Sequence, residues 1–383
     1  MNRAPTRRGE LHHAIKNNYI MMKRLLPILI PVILLSSCRK SESDFIWEKS
    51  YGKGEALFIR NSSDSGFTAC GEMGGNPYFI RLNKARSLVL DFDAENPGLF
   101  SSVWFDTSGY ITGGNTGGKM LIMRHSAEGN KLWEKSLEGG FKIDYTNLFY
   151  TGNGSLLAVG TASPDSSGSG ATGLLFVRFD TTGQIITEEK ITETNFVSAN
   201  EAVVDNEGNI FLALTRRVTG SKPKASVAKF NNLFQKLWET ELSNNPDFGA
   251  ASLAIKLDGS GNVYVAGKTE LSVAGGVLNN SFLASLTNTG SIRWKKYLEN
   301  SNSGSALIFD NNENLMMLNM NCFIINILSL LDGSDAGRIR MFSLCDSYNT
   351  DALGADMDIT YDKNILVAGT RGGNFYLALK SSQ

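Results

Sequence analysis

The chain has 383 residues and is nearly neutral, with 37 lysines and arginines against 38 aspartates and glutamates. This balance opposes a role in nucleic-acid binding, which needs a surface with an excess of basic residues. Only four cysteines are present, so the sequence does not predict a small fold held together by disulfides. Glycine is abundant at 39 residues and proline is scarce at 8, a composition that suits sheets joined by tight hairpins.

The N-terminal segment is typical of a targeting signal rather than of a folded domain. Lys23 and Arg24 precede an apolar run at residues 25–35, and two serines separate this run from Cys38. A cationic stretch, a short apolar run and small residues before a cleavage point predict a secretory signal peptide over residues 21–37. The run is shorter than the roughly 20 residues that a membrane-spanning helix needs.

A cysteine directly after such a segment resembles the lipobox of bacterial lipoproteins, in which that cysteine is acylated and becomes the first residue of the mature protein. The resemblance implies that Cys38 anchors the chain to a membrane and that residues 38–44 form a polar tether. Arg39, in place of an aspartate, resembles the sorting pattern for the outer membrane. Residues 1–20 are predicted to be a mis-called extension, because Met21 and Met22 are better placed to start a signal peptide.

The mature chain would keep 31 basic and 37 acidic residues, a net charge of about −6. This acidic balance strengthens the argument against nucleic acid as a partner. Besides Cys38, the mature chain has only Cys70, Cys322 and Cys345. Cys322 and Cys345 are candidates for one disulfide in an oxidising compartment, and three buried thiols are the alternative.

The body of the chain is built from a repeat of four short strands. In one copy, apolar strands are predicted at residues 252–257, 263–267 and 282–286, and a fourth strand at residues 292–297 contains Trp294. Turns rich in Asp, Asn and Gly separate them, as tight antiparallel hairpins require. Four such strands make one blade of a β-propeller.

The end of the second strand recurs every 42 to 54 residues and gives seven copies. The residues at this point are Gly71, Gly113, Gly160, Leu214, Gly267, Asn319 and Gly369. A period of this length predicts a propeller rather than an ordinary two-domain chain. The seventh copy lacks a fourth strand, whereas the segment that begins at Phe45, with Trp47 and Glu48, resembles an unpaired fourth strand. We therefore predict an all-β, seven-bladed ring over residues 45–383, whose last blade is closed by the N-terminal strand, because closure pairs two exposed sheet edges.

The turn and strand at residues 257–267 resemble the bacterial seven-bladed β-propeller repeats, in which Asp-x-x-Gly-Asn-x-Tyr-x-x-Gly is typical. Asp258, Asn262, Tyr264 and Gly267 carry the resemblance, and other copies match in part. The resemblance implies the fold and is nearly silent about chemistry, since unrelated functions share this scaffold.

Groups that could carry chemistry are sparse. His125 is the only histidine of the mature chain, and its alignment with Asp180 and Asn231 predicts a solvated turn residue. A Ser-His-Asp triad and a zinc site are therefore disfavoured. The turns at Asp205 and Asp258 contain many oxygen atoms but lack the later bidentate glutamate of a calcium loop, which favours hairpins. Quinone-dependent propeller enzymes typically have eight blades, a calcium ion near the quinone and often a pair of adjacent cysteines. None of these features is visible in the sequence, so a quinone is disfavoured. We therefore predict no metal and no cofactor.

We predict a binding face at the mouth of the channel, where the chain enters the innermost strands, because binding residues concentrate on loops held by a rigid scaffold. The candidates are four aromatic and four acidic residues: Phe141, Asp144, Tyr145, Glu201, Phe248, Tyr348, Asp351 and Asp356. The leading hypothesis is a non-catalytic envelope lipoprotein that binds a protein or a glycan. One alternative is a glycan hydrolase that uses paired carboxylates at this mouth. Another is a structural factor in outer-membrane assembly.

Overall fold

Every regular element in the described part of the chain is a β-strand. The computed structural model describes residues 45–381 except for 63, 107, 151–154, 162–172, 193–195, 217–219, 244–247, 274–275, 299–302, 311–313, 322 and 342–351. Within these residues no helix is long and apolar enough to cross a membrane. The signal peptide, the lipidated Cys38 and the tether were predicted for residues that lie outside the described part.

The strands form seven blades, numbered here from the N-terminus. Blade 1 contains the second half of β1 (Phe45–Asn61), with β2 (Phe67–Met73), β3 (Asn76–Leu82) and β4 (Leu88–Asp93). Blade 2 contains β5 (Gly98–Asp106), β6 (Gly109–Thr116), β7 (Lys119–His125) and β8 (Lys131–Leu137). Blade 3 contains β9 (Tyr145–Tyr150), β10 (Leu156–Thr161), β11 (Gly173–Phe179) and β12 (Ile185–Thr192). Blade 4 contains β13 (Phe196–Val204), β14 (Ile210–Arg216), β15 (Lys224–Phe230) and β16 (Lys236–Glu241).

The remaining three blades repeat this order. Blade 5 contains β17 (Phe248–Leu257), β18 (Val263–Val273), β19 (Gly276–Leu286) and β20 (Ile292–Leu298). Blade 6 contains β21 (Gly304–Phe309), β22 (Leu315–Asn319), β23 (Ile324–Leu328) and β24 (Asp335–Arg340). Blade 7 contains β25 (Ala352–Ile359), β26 (Ile365–Arg371), β27 (Asn374–Lys380) and the first half of β1. Each innermost strand contacts the innermost strand of the next blade, in a cycle that returns from β25 to β1.

The ring is closed by β1, which serves two blades at once. Its first part pairs antiparallel with β27 from Phe45 opposite Lys380 to Lys53 opposite Asn374. Its second part pairs with β2, so blades 7 and 1 form one seven-stranded sheet beside five four-stranded sheets. Glu48 accepts hydrogen bonds at 2.6 Å from both Arg371 and Tyr376 of blade 7. The predicted seven-bladed ring and its closure by the N-terminal strand are confirmed.

The core lies between the blades. Seven clusters of buried apolar side chains are present, one for each interface between neighbouring blades. The second and third strands are buried on both faces, so they are apolar along nearly their whole length rather than at alternate positions. All cluster members lie between Phe45 and Leu379, and residues 44–383 form one compact unit. The propeller therefore has its own complete core.

Outer-strand tryptophans join each blade to the next. Trp133, Trp238 and Trp294 each lie against a glycine in the turn between the third and fourth strands of the following blade. The Trp238 indole N–H also donates to the Asn288 carbonyl at 3.0 Å, and the Trp294 N–H makes the equivalent bond in the next interface. The interpretation of these tryptophans as packing between blades, rather than as a cofactor site, is consistent with these contacts.

A glycine substitution tests this contact. Gly290 has φ +88°, and a Cβ added there would lie 2.8 Å from the Trp238 ring. We expect Gly290→Ala to lower the free energy of unfolding by about 1–3 kcal/mol, because it combines a strained backbone with a clash. Gly259→Ala is the matched control, since a Cβ at Gly259 meets nothing within 4 Å, and its effect should stay within about 0.5 kcal/mol. Urea unfolding of both variants compares them, and equal midpoints would contradict the proposed contact.

The two faces of the ring follow from the antiparallel order of each blade. We call the face where the innermost strands begin the upper face, and the face where they end the lower face. The turns between first and second strands and between third and fourth strands lie on the lower face. Phe45, opposite Lys380 at the end of β27, also lies at the lower face.

Candidate functional site

A cavity of about 210 Å³ opens at the upper end of the central channel and is lined by the innermost strands of all seven blades. Most of its lining side chains carry hydroxyl, amide or carboxylate groups. The described lining residues are Glu55, Leu57, Phe58, Ser101, Tyr145, Asn147, Asn200, Glu201, Leu253, Ser305, Met320, Leu353, Gly354, Ala355 and Asp356. None of these residues is a lysine or an arginine.

β-Bulges set which side chains face the channel. In six innermost strands the ladder to the second strand skips one residue at the corresponding point. A bulge leaves its extra residue unpaired and redirects its side chain. The skipped residues all line the cavity: Leu57, Ser101, Asn200, Leu253, Ser305 and Ala355. Strand β9 has no such shift, and its Asn147 lines the cavity from a regular position.

In blades 1, 5 and 7 the repeated glycine of the second strand lies where a bulged innermost strand comes close. A Cβ on Gly71, Gly267 or Gly369 would lie about 2 Å from a carbonyl oxygen of the neighbouring innermost strand. Those carbonyls belong to the residues just before the bulge. Glycine is therefore required in these three blades because the bulged strand approaches too closely for any side chain. The repeat glycine was the sequence signal that could have located the channel lining.

Two of the predicted acidic residues lie in the cavity wall, where they connect neighbouring blades. Glu201 of blade 4 accepts the backbone N–H of Ile255 in blade 5 at 2.8 Å, and Lys256 Nζ lies 3.8 Å from its other oxygen. Asp356 of blade 7 accepts the N–H of Ile59 in blade 1 at 3.0 Å and Arg60 Nη1 at 2.7 Å. Both carboxylates thus satisfy backbone N–H groups of the innermost strand in the next blade.

The pKa values of Glu201 and of the neighbouring Arg60 are both raised, for different reasons. Burial raises the pKa of Glu201 above its ordinary value, while Lys256 opposes the rise and Asp356 adds to it. Burial lowers the pKa of the Arg60 guanidinium, but Asp356, Asp358 and Glu201 reverse this effect and raise it overall. Arg60 therefore stays cationic beside Asp356, and Glu201 holds its proton more tightly than an exposed glutamate does.

The rim of the cavity is formed in part by Tyr145 and Glu55. Burial, followed by the charges of Glu55 and Asp144, raises the pKa of the Tyr145 hydroxyl. Tyr145 therefore remains a neutral hydrogen-bond donor at physiological pH. Desolvation of its carboxyl group, followed by the charge of Glu72, raises the pKa of Glu55, although the residue as a whole is exposed to solvent. A ligand entering the channel would meet these two residues first.

The structure brings three of the eight predicted residues into one cavity: Tyr145, Glu201 and Asp356. Phe141 instead packs half-buried against the core between blades 2 and 3, and Asp144 pairs with Lys142 at 3.0 Å. The backbone of Phe248 begins β17, but its side chain is outside the described part. Tyr348 and Asp351 also lie outside it, as do Cys322 and Cys345 of the suggested disulfide. Sequence reasoning missed Glu55, Ser101, Asn147 and Asn200.

The interpretation of His125 as a solvated turn residue was wrong. His125 ends β7, is only 3% exposed and stacks on Phe92 with ring centroids 3.8 Å apart. The turn begins at Ser126, whose N–H donates to the Asn130 carbonyl. The equivalent bond in blade 3 runs from the Asp180 N–H to the Gln184 carbonyl. The alignment was therefore shifted by one residue, and His125 occupies the place that Phe179 and Phe230 take in blades 3 and 4.

The oxygen-rich turns use their carboxylates internally. Asp258 Oδ1 accepts the backbone N–H groups of Ser260 and Asn262, and Asp205 Oδ1 makes the equivalent bonds in its own turn. These bonds are those of a hairpin turn closed by an aspartate.

Among the described residues, no group of three or more His, Cys, Asp or Glu side chains is arranged to hold a metal ion. Cys70 is a buried free thiol, and burial raises its pKa well above the ordinary value.

Comparison with known proteins supports the architecture. No family model matches this chain, and no curated protein matches its sequence. Among solved structures, the chain is similar to the WD40 domain of Neurospora crassa Pan2, with a TM-score of 0.59, 12% identity and coverage of 86% of this chain and 90% of that one. It is also similar to virginiamycin B lyase from Staphylococcus aureus, with a TM-score of 0.60, 10% identity and coverage of 87% and 97%. At these identities the likeness shows the β-propeller fold alone.

Proposed function

We propose that this chain is a cell-envelope lipoprotein, anchored through Cys38, whose propeller binds a protein or glycan partner at the channel mouth without catalysing a reaction. A β-propeller is a common scaffold for binding, and one structural neighbour is a WD40 domain while another is a lyase. The choice between binding and catalysis therefore depends on the site. The observation that carries the proposal is the cavity at the upper end of the channel, whose lining includes the carboxylates of Glu55, Glu201 and Asp356.

The carboxylates of the cavity support binding over hydrolysis. A glycan hydrolase would need two carboxyl groups free to exchange protons with substrate and water. Glu201 and Asp356 each accept a backbone N–H from the next blade, and Asp356 also pairs with Arg60. The hydrolase alternative keeps one supporting observation, the raised pKa of Glu201. Our proposal expects screening to find no glycan cleavage, whereas the hydrolase alternative expects cleavage that Glu201→Gln abolishes.

The size and charge of the cavity suggest what it accepts. Sites for whole small molecules usually have about 300–1,000 Å³, so a cavity of about 210 Å³ suits one protruding group of a larger partner. Glu55, Glu201 and Asp356 line it as hydrogen-bond acceptors, and no basic residue does. The inserted group should therefore be a donor, and a lysine or arginine side chain fits better than an acidic group. Sugar hydroxyls are the second donor class.

The rim glutamate offers a direct test of this preference. We expect Glu55→Lys to weaken binding of the partner about tenfold or more, because a hydrogen bond to a charged group is worth about 1.5–3 kcal/mol. Glu189→Lys makes the same charge change on an exposed outer strand, β12, and serves as the control. The partner is first captured with a photo-crosslinker at Asn147, and affinities are then measured by titration. Equal affinities for the two variants would exclude the channel mouth as the site.

The lipid anchor has its own test. We expect metabolic labelling with a radioactive fatty acid to mark the full chain in a bacterial host and to be lost in Cys38→Ser. Cys70→Ser is the control, since its thiol is buried in the propeller. Labelling that persists in Cys38→Ser would contradict the anchor without affecting the channel proposal.

A further inference from the structure

Exposed apolar side chains are concentrated at one end of the propeller. Of the thirteen large hydrophobic residues that the described part of the chain exposes, only Tyr297 lies toward the upper face. The other twelve lie in lower-face turns or at the lower ends of strands: Ile46, Leu88, Val89, Trp104, Leu132, Ile185, Ile186, Leu233, Leu237, Ile292, Leu331 and Tyr361. Surface hydrophobic residues scattered singly need no explanation, but a one-sided concentration marks an interaction surface.

The concentration follows the repeat. In five consecutive blades the second residue of the outer strand is an exposed aliphatic: Ile46, Val89, Leu132, Ile186 and Leu237. These residues form a partial belt around the circumference at its lower end. The two most exposed apolar side chains near blade 7 lie in lower-face turns. Leu331 is 82% exposed in a turn of blade 6, and Tyr361 is 64% exposed in a turn of blade 7. Both therefore lie in the part of the ring where β1 enters the propeller.

The chain enters the propeller at this same end. Phe45 pairs with Lys380 at the lower face, and Ile46 is the first residue of the belt. Only residues 39–44 separate Phe45 from Cys38, and the seven residue-to-residue steps from Cys38 to Phe45 span at most about 25 Å when fully extended. A seven-residue strand is about 23 Å long, so the tether is about as long as a blade is tall. Turning the upper face to a membrane would consume almost the whole tether.

We propose that the lower face lies on a lipid bilayer, with Leu331 and Tyr361 inserted at the membrane surface and the channel mouth directed away from it. The proposal rests on the lipid anchor proposed above, which fixes the membrane beside Phe45. Aliphatic tips enter the interfacial region, and a tyrosine ring suits the level of the headgroups. Lower-face turns also carry carboxylates such as Asp205 and Asp258, so the surface suits zwitterionic rather than anionic lipid.

Fluorescence quenching tests the orientation without relying on acylation. A chain that begins at Arg39 and carries an N-terminal histidine tag is bound to phosphatidylcholine vesicles that contain nickel-chelating lipid, so the tag replaces the acyl chains at the same end. Leu331→Trp and Tyr297→Trp place a reporter near each face, and the unsubstituted chain gives the signal of the five native tryptophans. We expect brominated acyl chains to quench the added signal of Leu331→Trp and to leave that of Tyr297→Trp unchanged.

Three results would overturn the proposal. Quenching of Tyr297→Trp alone would mean that the upper face meets the bilayer. Quenching of neither reporter would mean that the propeller stands away from the lipid, and equal quenching of both would mean that it has no fixed orientation. The unsubstituted chain should show quenching of its native tryptophan fluorescence, because Trp104 is exposed at the lower face. The double variant Leu331→Asn and Tyr361→Asn should lose this quenching. Because tethering is by the tag, failure here leaves both acylation at Cys38 and binding at the channel mouth unaffected.

Discussion

A chain that lacks residues 45–53 is expected to lose cooperative folding. Without this segment β27 becomes an exposed edge, and Glu48 no longer accepts hydrogen bonds from Arg371 and Tyr376. Trp47 is also lost from the cluster between blades 7 and 1, where its ring lies 5.6 Å from that of Phe67. These losses together approach the whole stability of a typical domain, about 5–15 kcal/mol, and an unpaired edge invites aggregation.

Circular dichroism and size-exclusion chromatography of the chain from Gly54 onward would show this loss. A peptide of residues 45–53 added to the truncated chain should restore a monomeric, cooperatively folding species, because it can pair with β27 as a separate strand. A peptide of the same composition in scrambled order is the control. If the truncated chain unfolds at the same urea concentration as the chain that begins at Arg39, the ring does not depend on its closing strand.

The architecture was predictable because its signals are local. The turn at residues 258–262 contains the aspartate, glycine and asparagine that a tight hairpin needs, and the structure uses them in that way. The missing fourth strand of the last copy and the surplus strand at Phe45 could both be recognised from the sequence alone. Pairing them required only the rule that sheet edges are avoided. Neither step needed knowledge of distant contacts.

The channel lining was harder to predict because it depends on contacts between strands. Ser101 and Asn200 face the channel since each is skipped by the ladder, and nothing in their immediate sequence marks the skip. Asp144 was expected at the mouth with Tyr145, but it pairs with Lys142 only two residues away. The repeat glycine of the second strand was noticed as a marker of period. Its physical cause in blades 1, 5 and 7, the close approach of a bulged strand, became visible only in three dimensions.

The corrected position of His125 yields the second large effect, a dependence of stability on pH. Burial, together with the charge of Lys131 and against that of Glu134, lowers the pKa of the His125 imidazole to about 4. His125 Nδ1 has no hydrogen-bond partner in the described part of the chain. In the unfolded chain the imidazole binds its proton near pH 6.5, so between about pH 6.5 and about pH 4 the unfolded state holds more protons. Stability therefore falls as the pH falls through this window, by about 3 kcal/mol in all.

His125→Phe separates this contribution from that of the carboxylates. Phenylalanine occupies the equivalent place in blades 3 and 4, as Phe179 and Phe230, so the side chain should fit and keep its stack on Phe92. The parent chain and the variant, each beginning at Arg39, are unfolded with urea at a series of pH values. His125 is the one histidine of this parent chain, so the difference in unfolding free energy at each pH reports on it. We expect that difference to be constant above about pH 6.5 and to shift in favour of the variant as the pH falls toward about 4. Parallel curves would mean that the imidazole takes up its proton in the folded state as readily as in water, which a buried ring stacked on Phe92 should not do.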